Sequence, residues 1–183
     1  MKFMRSGIVS MVLVLALVLS GCSPAVQRGK NPKMDYPEAQ AELAKLYALA
    51  QDTVGGSWEF TELGADVCGL PSGAKGAQTG GVSYGPGVPL DRQQAIIDQV
   101  VAAWTRAGFK PFVLARPPVK TIISTQVRYP ASGYGVDGFT LSFEVATTAS
   151  SLDGQTRCVP GDADAINAEY QRLHPHPTLS PAP

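Results

Sequence analysis

The chain has 183 residues, with 15 basic and 15 acidic side chains and no formal net charge at pH 7. This balance argues against a protein that binds nucleic acid or anionic lipid headgroups, because such binding depends on an excess of clustered lysine and arginine. The length suits one domain with a single hydrophobic core.

The first segment of the chain is a short apolar stretch that ends at Cys22. Lys2 and Arg5 precede it, and residues 6–21 carry no charge. This is the pattern of a secretory signal peptide, and small residues followed by a cysteine are typical of the lipobox of bacterial prolipoproteins. A retained transmembrane helix would need about 20 apolar residues, more than this stretch provides. We therefore expect residues 1–21 to be removed and Cys22 to be lipidated, which anchors the protein on the extracytoplasmic face of the cell membrane.

Removal of the signal peptide also changes the charge. Lys2 and Arg5 leave with it, so the 15 basic residues fall to 13 against 15 acidic ones, a formal charge of −2. No basic surface field is expected on the mature chain, and no nucleic acid is expected among its partners.

The two ends of the mature chain are predicted to lie outside the folded domain. Residues 22–35 are a lipidated tether with prolines, glycine and charges and without an apolar period. Residues 161–183 are a C-terminal extension that ends in a proline-rich, disordered tail. His174 and His176 occur there without the thiols or carboxylates that would complete a coordination shell, so we expect neither a metal nor another cofactor. A single α+β globular domain is left at residues 36–160.

Two segments of that domain have the periodicity of amphipathic helices. The first covers residues 37–54 and the second covers residues 91–107. Asp91 and Gln94 resemble a capping box at the start of the second helix, and Gly108 suits its C-terminal end. The apolar positions that share one face are Leu43, Leu46, Tyr47, Ala50 and Val54 in the first helix and Ile96, Val100, Ala103, Trp104 and Ala107 in the second.

Alternating apolar and polar residues predict strands after each helix. The strands are expected at residues 57–63, 112–115, 121–129, 138–146 and 155–159, with a hairpin connection at residues 130–137. Trp58 and Phe60 of the first strand are expected to face the core. One face of the fourth strand is apolar through Phe139, Leu141, Phe143 and Val145. We therefore expect an α+β fold, with two amphipathic helices packed on one face of a mainly antiparallel sheet.

Residues 69–89 contain seven glycines and three prolines. This composition predicts a long surface loop, with a short strand at residues 77–84 as its ordered part. Long loops on a rigid scaffold often carry binding surfaces. Tyr84, Tyr129 and Tyr134 are candidates for an exposed aromatic surface that contacts sugar rings or a protein partner. The alternative is that the tyrosines cover the core and the glycines merely turn the chain.

Two cysteines remain once Cys22 carries lipid. Outside the cytoplasm, two lone thiols in a small domain usually pair, so we predict a disulfide between Cys68 and Cys158. A reactive thiol or a metal pair is the alternative. A catalytic cysteine usually has a histidine as its base, and the two histidines lie in the tail. The Cys-x-x-Cys spacing of redox pairs is also absent.

A series of landmarks runs along the whole mature chain. After the lipobox come Gly-Gly-Ser-Trp ending at Trp58, Cys68-Gly69, Trp104-x-x-x-Gly108-Phe109, and a late Arg157-Cys158 before the proline-rich tail. Their order resembles the LppA-like small lipoproteins of mycobacteria and other actinobacteria. The resemblance implies a cell-envelope lipoprotein with an α+β domain and one disulfide, and it implies no known activity.

The motifs of common enzymes, such as Gly-x-Ser-x-Gly and His-Glu-x-x-His, are absent from the sequence. We therefore expect a lipid-anchored, non-catalytic binding or interaction module, with an envelope protein, a glycan or a lipid as its candidate partner. Two alternatives stay open. One is a carrier of a lipid or another small apolar ligand, which requires a cavity between the helices and the sheet. The other is a carboxylate-dependent hydrolase, for example through Glu59 and Glu144 if their strands are neighbours.

Replacing Cys22 with alanine tests the anchor. We expect the Cys22→Ala variant to fold normally but to appear in the soluble fraction, or to keep its signal peptide, because no thiol is left for lipidation. Cell fractionation followed by measurement of the intact mass distinguishes these outcomes, with the unaltered chain as the control. A cleaved Cys22→Ala protein that stays on the membrane would contradict the lipoprotein hypothesis.

Overall fold

The computed structural model describes residues 34–116 and 123–174. The expected signal peptide, Cys22 and His176 lie outside these residues. The described elements are three helices and a six-stranded antiparallel sheet with strand order β1-β2-β6-β5-β4-β3. In chain order they are α1 Tyr36–Val54, β1 Glu59–Gly69, β2 Lys75–Pro86, α2 Leu90–Arg106, β3 Phe112–Ala115, β4 Ser124–Tyr129, β5 Thr140–Ala146, β6 Ala149–Gln155 and α3 Ala163–Leu173. The α+β class expected from the sequence is confirmed.

The core lies between α1, α2 and one face of the sheet, as the apolar periods predict. Eight of the ten predicted stripe residues of the two helices are buried, whereas Val54 is half-buried and Ala107, at the end of α2, is exposed. The indole Nε1 of Trp104 donates a hydrogen bond to Leu46 O at 3.0 Å and ties α2 to α1. The apolar face of the fourth predicted strand is fully buried through Phe139, Leu141, Phe143 and Val145.

The helix ends are set by local hydrogen bonds. Asp35 caps α1 through a capping box with Glu38, which was not among the predicted helix signals. Gly108 follows α2 with a φ of 93°, as expected for a C-terminal cap. The N–H of Phe109 then donates to Trp104 O at 3.0 Å.

The predicted start of α2 is wrong. Pro89 is the N-cap residue and its side chain makes no capping hydrogen bond. The fixed φ of Pro89 lets the helix begin at once, so Asp91 lies inside the first turn. Gln94 Nε2 donates to Asp98 Oδ1 at 2.8 Å and takes no part in a cap.

The glycine-rich passage at residues 69–89 is mainly strand, so the expectation of a long surface loop is wrong, whereas the short strand expected at residues 77–84 lies within β2. β2 runs for 12 residues and pairs with β1 on one side and β6 on the other. Its glycines allow close approach. A Cβ atom at Gly76 would lie 2.5 Å from Val159 O, and one at Gly81 would lie 2.4 Å from the Phe60 ring. These glycines therefore allow the backbone of Val159 and the ring of Phe60 to approach the strand closely. Glycine content alone does not distinguish such a strand from a turn.

β1 is an edge strand, which changes the environment of its aromatic residues. Trp58 lies just before the strand and is half-buried, while Phe60 is on the helix-covered face but remains 58% exposed. The expectation that Phe60 faces the core is therefore only partly met. α1 covers β6 and β2 but leaves the outer part of β1 open.

The last predicted strand is displaced. β6 covers Ala149–Gln155, whereas the prediction was residues 155–159. Ser150, Leu152 and Gly154 form its buried face, and two of these three residues carry no apolar signal. Residues beyond Gln155 continue along β2 and form a single bridge between Ala77 and Val159.

Helix α3 lies in the C-terminal extension, residues 161–183, where no helix or strand was predicted. It packs through Ala163 on Ala65 and Ala77, on the same face of the sheet as α1 and α2. Asn167 Oδ1 accepts from Ala65 N at 2.8 Å, and Asn167 Nδ2 donates to Ala65 O at 2.8 Å. Asp162 caps this helix, and Ala163, Ile166 and Tyr170 share one face, so the sequence does carry a helical signal here although Ala163 is the helix's one buried residue.

Substitution of a β2 glycine tests this explanation of the strand. We expect Gly76→Ala to lower the free energy of unfolding by about 1–3 kcal/mol, because the new methyl group meets the backbone at Val159. Gly69→Ala is the matched control, since nothing lies within 4 Å of its Cβ position. Urea unfolding of residues 23–183 measures both. Equal effects of the two substitutions would contradict the argument.

Candidate ligand-binding groove

The predicted disulfide between Cys68 and Cys158 is confirmed. It joins the end of β1 to the segment after β6, with a Cα–Cα distance of 5.9 Å. The two cysteines are 90 residues apart in sequence. In the chain-entropy model, closing a loop of this length stabilises the folded state by about 4–5 kcal/mol.

Residues 156–159, the junction segment, bind both the sheet and α1. Arg157 donates to both carboxylate oxygens of Glu42 on α1, at 2.7 and 3.1 Å. It also pairs with Asp137 of the β4–β5 connection, and its guanidinium lies 5.1 Å from the centre of the Phe139 ring. Burial alone would lower the pKa of Arg157, but the bonds to Glu42 and Asp137 raise it above its ordinary value. The guanidinium therefore stays charged and holds α1 in place.

A groove of about 460 Å³ lies beside α1, above the β1 and β2 strands. Its walls are mostly apolar. The small side chains of Ala41 and Ala44 leave the space, and Leu43, Tyr47 and Phe60 form its apolar sides. The remaining lining residues are Gln40, Gln51, Glu62, Thr79, Gly80 and Thr156. The volume lies within the range of small-molecule sites, which is about 300–1,000 Å³.

The polar groups around the groove are engaged with the protein itself. Tyr47 donates its hydroxyl to Gly81 O at 2.6 Å, and Gln51 Nε2 donates to Ser83 Oγ at 3.1 Å. Burial raises the pKa of Tyr47 well above its ordinary value, so the hydroxyl keeps its proton. The Tyr47 ring meets the Phe60 ring edge-on, with centroids 6.1 Å apart. The inner wall is therefore rigid and apolar.

One charge lines the groove. Glu62 is half-buried, and one of its oxygens accepts from Gln40 Nε2 at 3.1 Å. Among the described residues that line the groove, none carries a positive charge. The groove thus combines an apolar wall with one negative group.

The helical period of α1 predicts a core position for Tyr47, which is buried, but it does not predict the groove. Ala41 and Ala44 flank the apolar stripe of α1, and small residues at such positions were the available signal. Small residues create a space only if the side chains that face them do not fill it. The sequence alone does not show that Phe60 and β2 face Ala41 and Ala44.

The three tyrosines proposed as a binding surface are not brought together. Tyr84 is 58% exposed on the sheet face opposite the helices, and Tyr134 is 77% exposed on the β4–β5 connection. Tyr129 is half-buried on the helix-covered face, where it packs against Phe109 and Phe139 with ring centroids 5.0 and 6.0 Å away. The structure therefore offers no continuous surface made by all three.

The proposed carboxylate pair is also separated. Glu59 lies on β1 and Glu144 lies on β5, and two strands, β2 and β6, stand between them. Three strand spacings give about 14 Å, more than the roughly 5–9.5 Å between the carboxylates of glycosidases. Glu144 instead lies 3.6 Å from the guanidinium of Arg116.

The described residues contain neither a group of metal ligands nor a helix that could span a membrane. Within residues 34–116 and 123–174, no three His, Cys, Asp or Glu side chains are grouped as metal ligands. His174 ends α3 and stacks on Tyr170 at a centroid distance of 4.5 Å. The helices in this part of the chain are too short or too polar to cross a bilayer.

Comparison with known proteins returns a distant structural likeness. No protein-family model and no curated protein matches the chain. A crystal structure of a DUF4853 family protein from Actinomyces odontolyticus is 14% identical, with a TM-score of 0.42. The match covers 73% of this chain and 77% of that one. A likeness of this degree carries no information on activity or partners.

Removing the guanidinium of Arg157 tests its role beside the groove. We expect Arg157→Ala to lower the free energy of unfolding by about 1.5–3 kcal/mol, because the half-buried Glu42 and Asp137 lose a charged partner. The control is Arg172→Ala, which breaks the exposed pair with Glu169 and should leave the stability nearly unchanged. Chemical unfolding compares the two, and similar losses in both variants would contradict the role.

Proposed function

We propose that the chain is a non-catalytic, lipid-anchored binding protein of the cell envelope, and that its groove takes a small ligand with an apolar body. The observation that carries the proposal is the groove of about 460 Å³ between α1 and the β1–β2 edge. The carrier alternative required a cavity in this place. An interaction module that used the three tyrosines required a continuous exposed surface, and the groove therefore makes ligand binding the better-supported function.

The lining of the groove favours a particular ligand chemistry. An apolar chain of the ligand would pack against Leu43, Tyr47 and Phe60, where it is removed from water. The head group would lie near Glu62, whose carboxylate repels anions. We therefore propose an amphiphile with a neutral or cationic head group and not a free fatty acid.

The proposed location rests on the N-terminal sequence. Lipidation at Cys22 would put a membrane anchor 13 residues before Asp35, the cap of α1. An extended chain of that length reaches at most about 45 Å. Since α1 forms one wall of the groove, the proposed site would stay close to the bilayer surface. The order of landmarks shared with LppA-like lipoproteins supports the same location.

Filling the groove tests the proposed function. Dodecylamine and dodecanoate share one alkyl chain and differ in the charge of the head group, so both are titrated below their micellar concentrations into residues 23–183. We expect dodecylamine to bind about two- to fivefold more tightly, the range of a partly exposed ion pair. Ala44→Trp should weaken binding of both by at least about tenfold, because the indole occupies the site.

Two further variants complete this test. Glu62→Gln keeps the hydrogen bond to Gln40 and should remove the preference between the two head groups. Ala102→Trp places the same indole on the exposed face of α2 and should leave binding unchanged. Native mass spectrometry gives the stoichiometry. Binding of both probes that Ala44→Trp does not reduce would place them elsewhere and overturn the proposal.

A further inference from the structure

The sheet face opposite the helices carries a second depression. It has a volume of about 400 Å³ and is formed by β1, β4, β5 and β6 together with the β4–β5 connection. In contrast to the groove, its lining is mainly polar. The side chains that matter for its chemistry are Arg116, Gln126, Arg128, Tyr134, Asp153 and Gln155.

The register of the sheet explains why these side chains meet. Arg128 on β4 is paired with Ser142 on β5, and Ser142 is paired with Asp153 on β6. The three residues therefore form one row across the open face. Two strand spacings put Arg128 and Asp153 about 10 Å apart at their Cα atoms, and neither forms an ion pair within the described residues.

One nitrogen atom of the Arg128 guanidinium lacks a hydrogen-bond acceptor among the described residues. Its Nε atom is buried and, within the part of the chain that the structure describes, donates no hydrogen bond. Buried donors without a partner are uncommon in folded proteins because the lost hydration is not replaced. A guanidinium binds a carboxylate or a phosphate through two parallel N–H bonds. The residue is thus suited to an anionic group of a ligand.

The carboxylates near Arg128 affect which class of anion could bind there. Asp153 lies in the same row, and Glu144 lies in the next row, where it is 3.6 Å from Arg116. Two carboxylates beside the site disfavour a dianionic phosphate more than a monoanionic carboxylate. Asp153 can accept hydrogen bonds from hydroxyl groups, and Gln155 can both accept and donate.

Tyr134 adds an aromatic surface at the rim. It is 77% exposed, and its carbonyl oxygen accepts from Ser132 Oγ at 3.0 Å, which helps to order the connection. An exposed ring beside amide, carboxylate and guanidinium groups offers an apolar face to a sugar ring and polar groups to its hydroxyls.

We infer that this depression is a binding site for a carboxylate-bearing saccharide. Arg128 takes the carboxylate, Asp153 and Gln155 bind hydroxyl groups, and Tyr134 contacts the face of a sugar ring. The site is separate from the proposed groove, because the two lie on opposite faces of the sheet.

A matched pair of oligosaccharides tests the inference. The full chain is placed in phosphatidylcholine nanodiscs and titrated calorimetrically with hyaluronan tetrasaccharide, which carries carboxylates, and with neutral chitotetraose. We expect hyaluronan tetrasaccharide to bind at least about tenfold more tightly, as a charge-assisted bidentate contact implies. Sodium acetate, a carboxylate without a ring, is expected to bind far more weakly.

Variants locate the site. Arg128→Gln should remove the preference for the charged tetrasaccharide, and Tyr134→Ala should weaken the binding of both sugars. Arg106→Gln, at an exposed position in the last turn of α2, is the control and should change the affinity for neither sugar. Because Tyr134 is exposed, its variant remains informative if Arg128→Gln unfolds. Equal affinity for the two sugars, binding as tight for acetate, or no binding of either sugar would each overturn the inference.

Discussion

The bidentate ion pair between Arg157 and Glu42 joins the two layers of this protein. Arg157 belongs to the junction segment, whose neighbouring residues are fixed independently. Thr156 and Val159 form backbone hydrogen bonds with β2, and Cys158 is covalently bound to β1. The guanidinium therefore projects from a backbone that cannot move easily. This fixed point and the core packing of Leu43, Leu46 and Tyr47 together position α1 over the sheet.

The groove results from this arrangement together with residue size. α1 is held over β6 and β2, where Leu43 and Tyr47 pack down on the small residue Gly154. Toward β1 the helix presents Ala41 and Ala44, which do not reach the sheet. Close packing in the centre and small side chains at the margin leave a space along one side of the helix. The cost of that space is limited because Phe60 closes part of it.

The sequence predicts this fold best where burial is deep and periodic. The stripes of α1 and α2 and the apolar face of β5 were found because every third or fourth residue of such a helix, and every second residue of such a strand, is kept from water. Only residues 77–84 of β2 were predicted as strand and the rest as loop, because the glycines of β2 serve tertiary contacts with Phe60 and Val159, which no local pattern contains. The disulfide followed from the count of cysteines. The groove and the polar depression depend on which strands become neighbours in the sheet. Neighbouring strands such as β2 and β6 are far apart in sequence, so local patterns do not reveal these sites.

The paired hydrogen bonds between Asn167 and Ala65 have a consequence for the open edge of the sheet. An edge strand with unpaired backbone groups can pair with the edge of an identical molecule when two copies collide. The amide of Asn167 occupies the outward N–H and C=O of Ala65 just as an added strand would. A strand of a second molecule therefore cannot pair with β1 continuously past Ala65. Helix α3, through Asn167, thus opposes edge-to-edge association of the sheets.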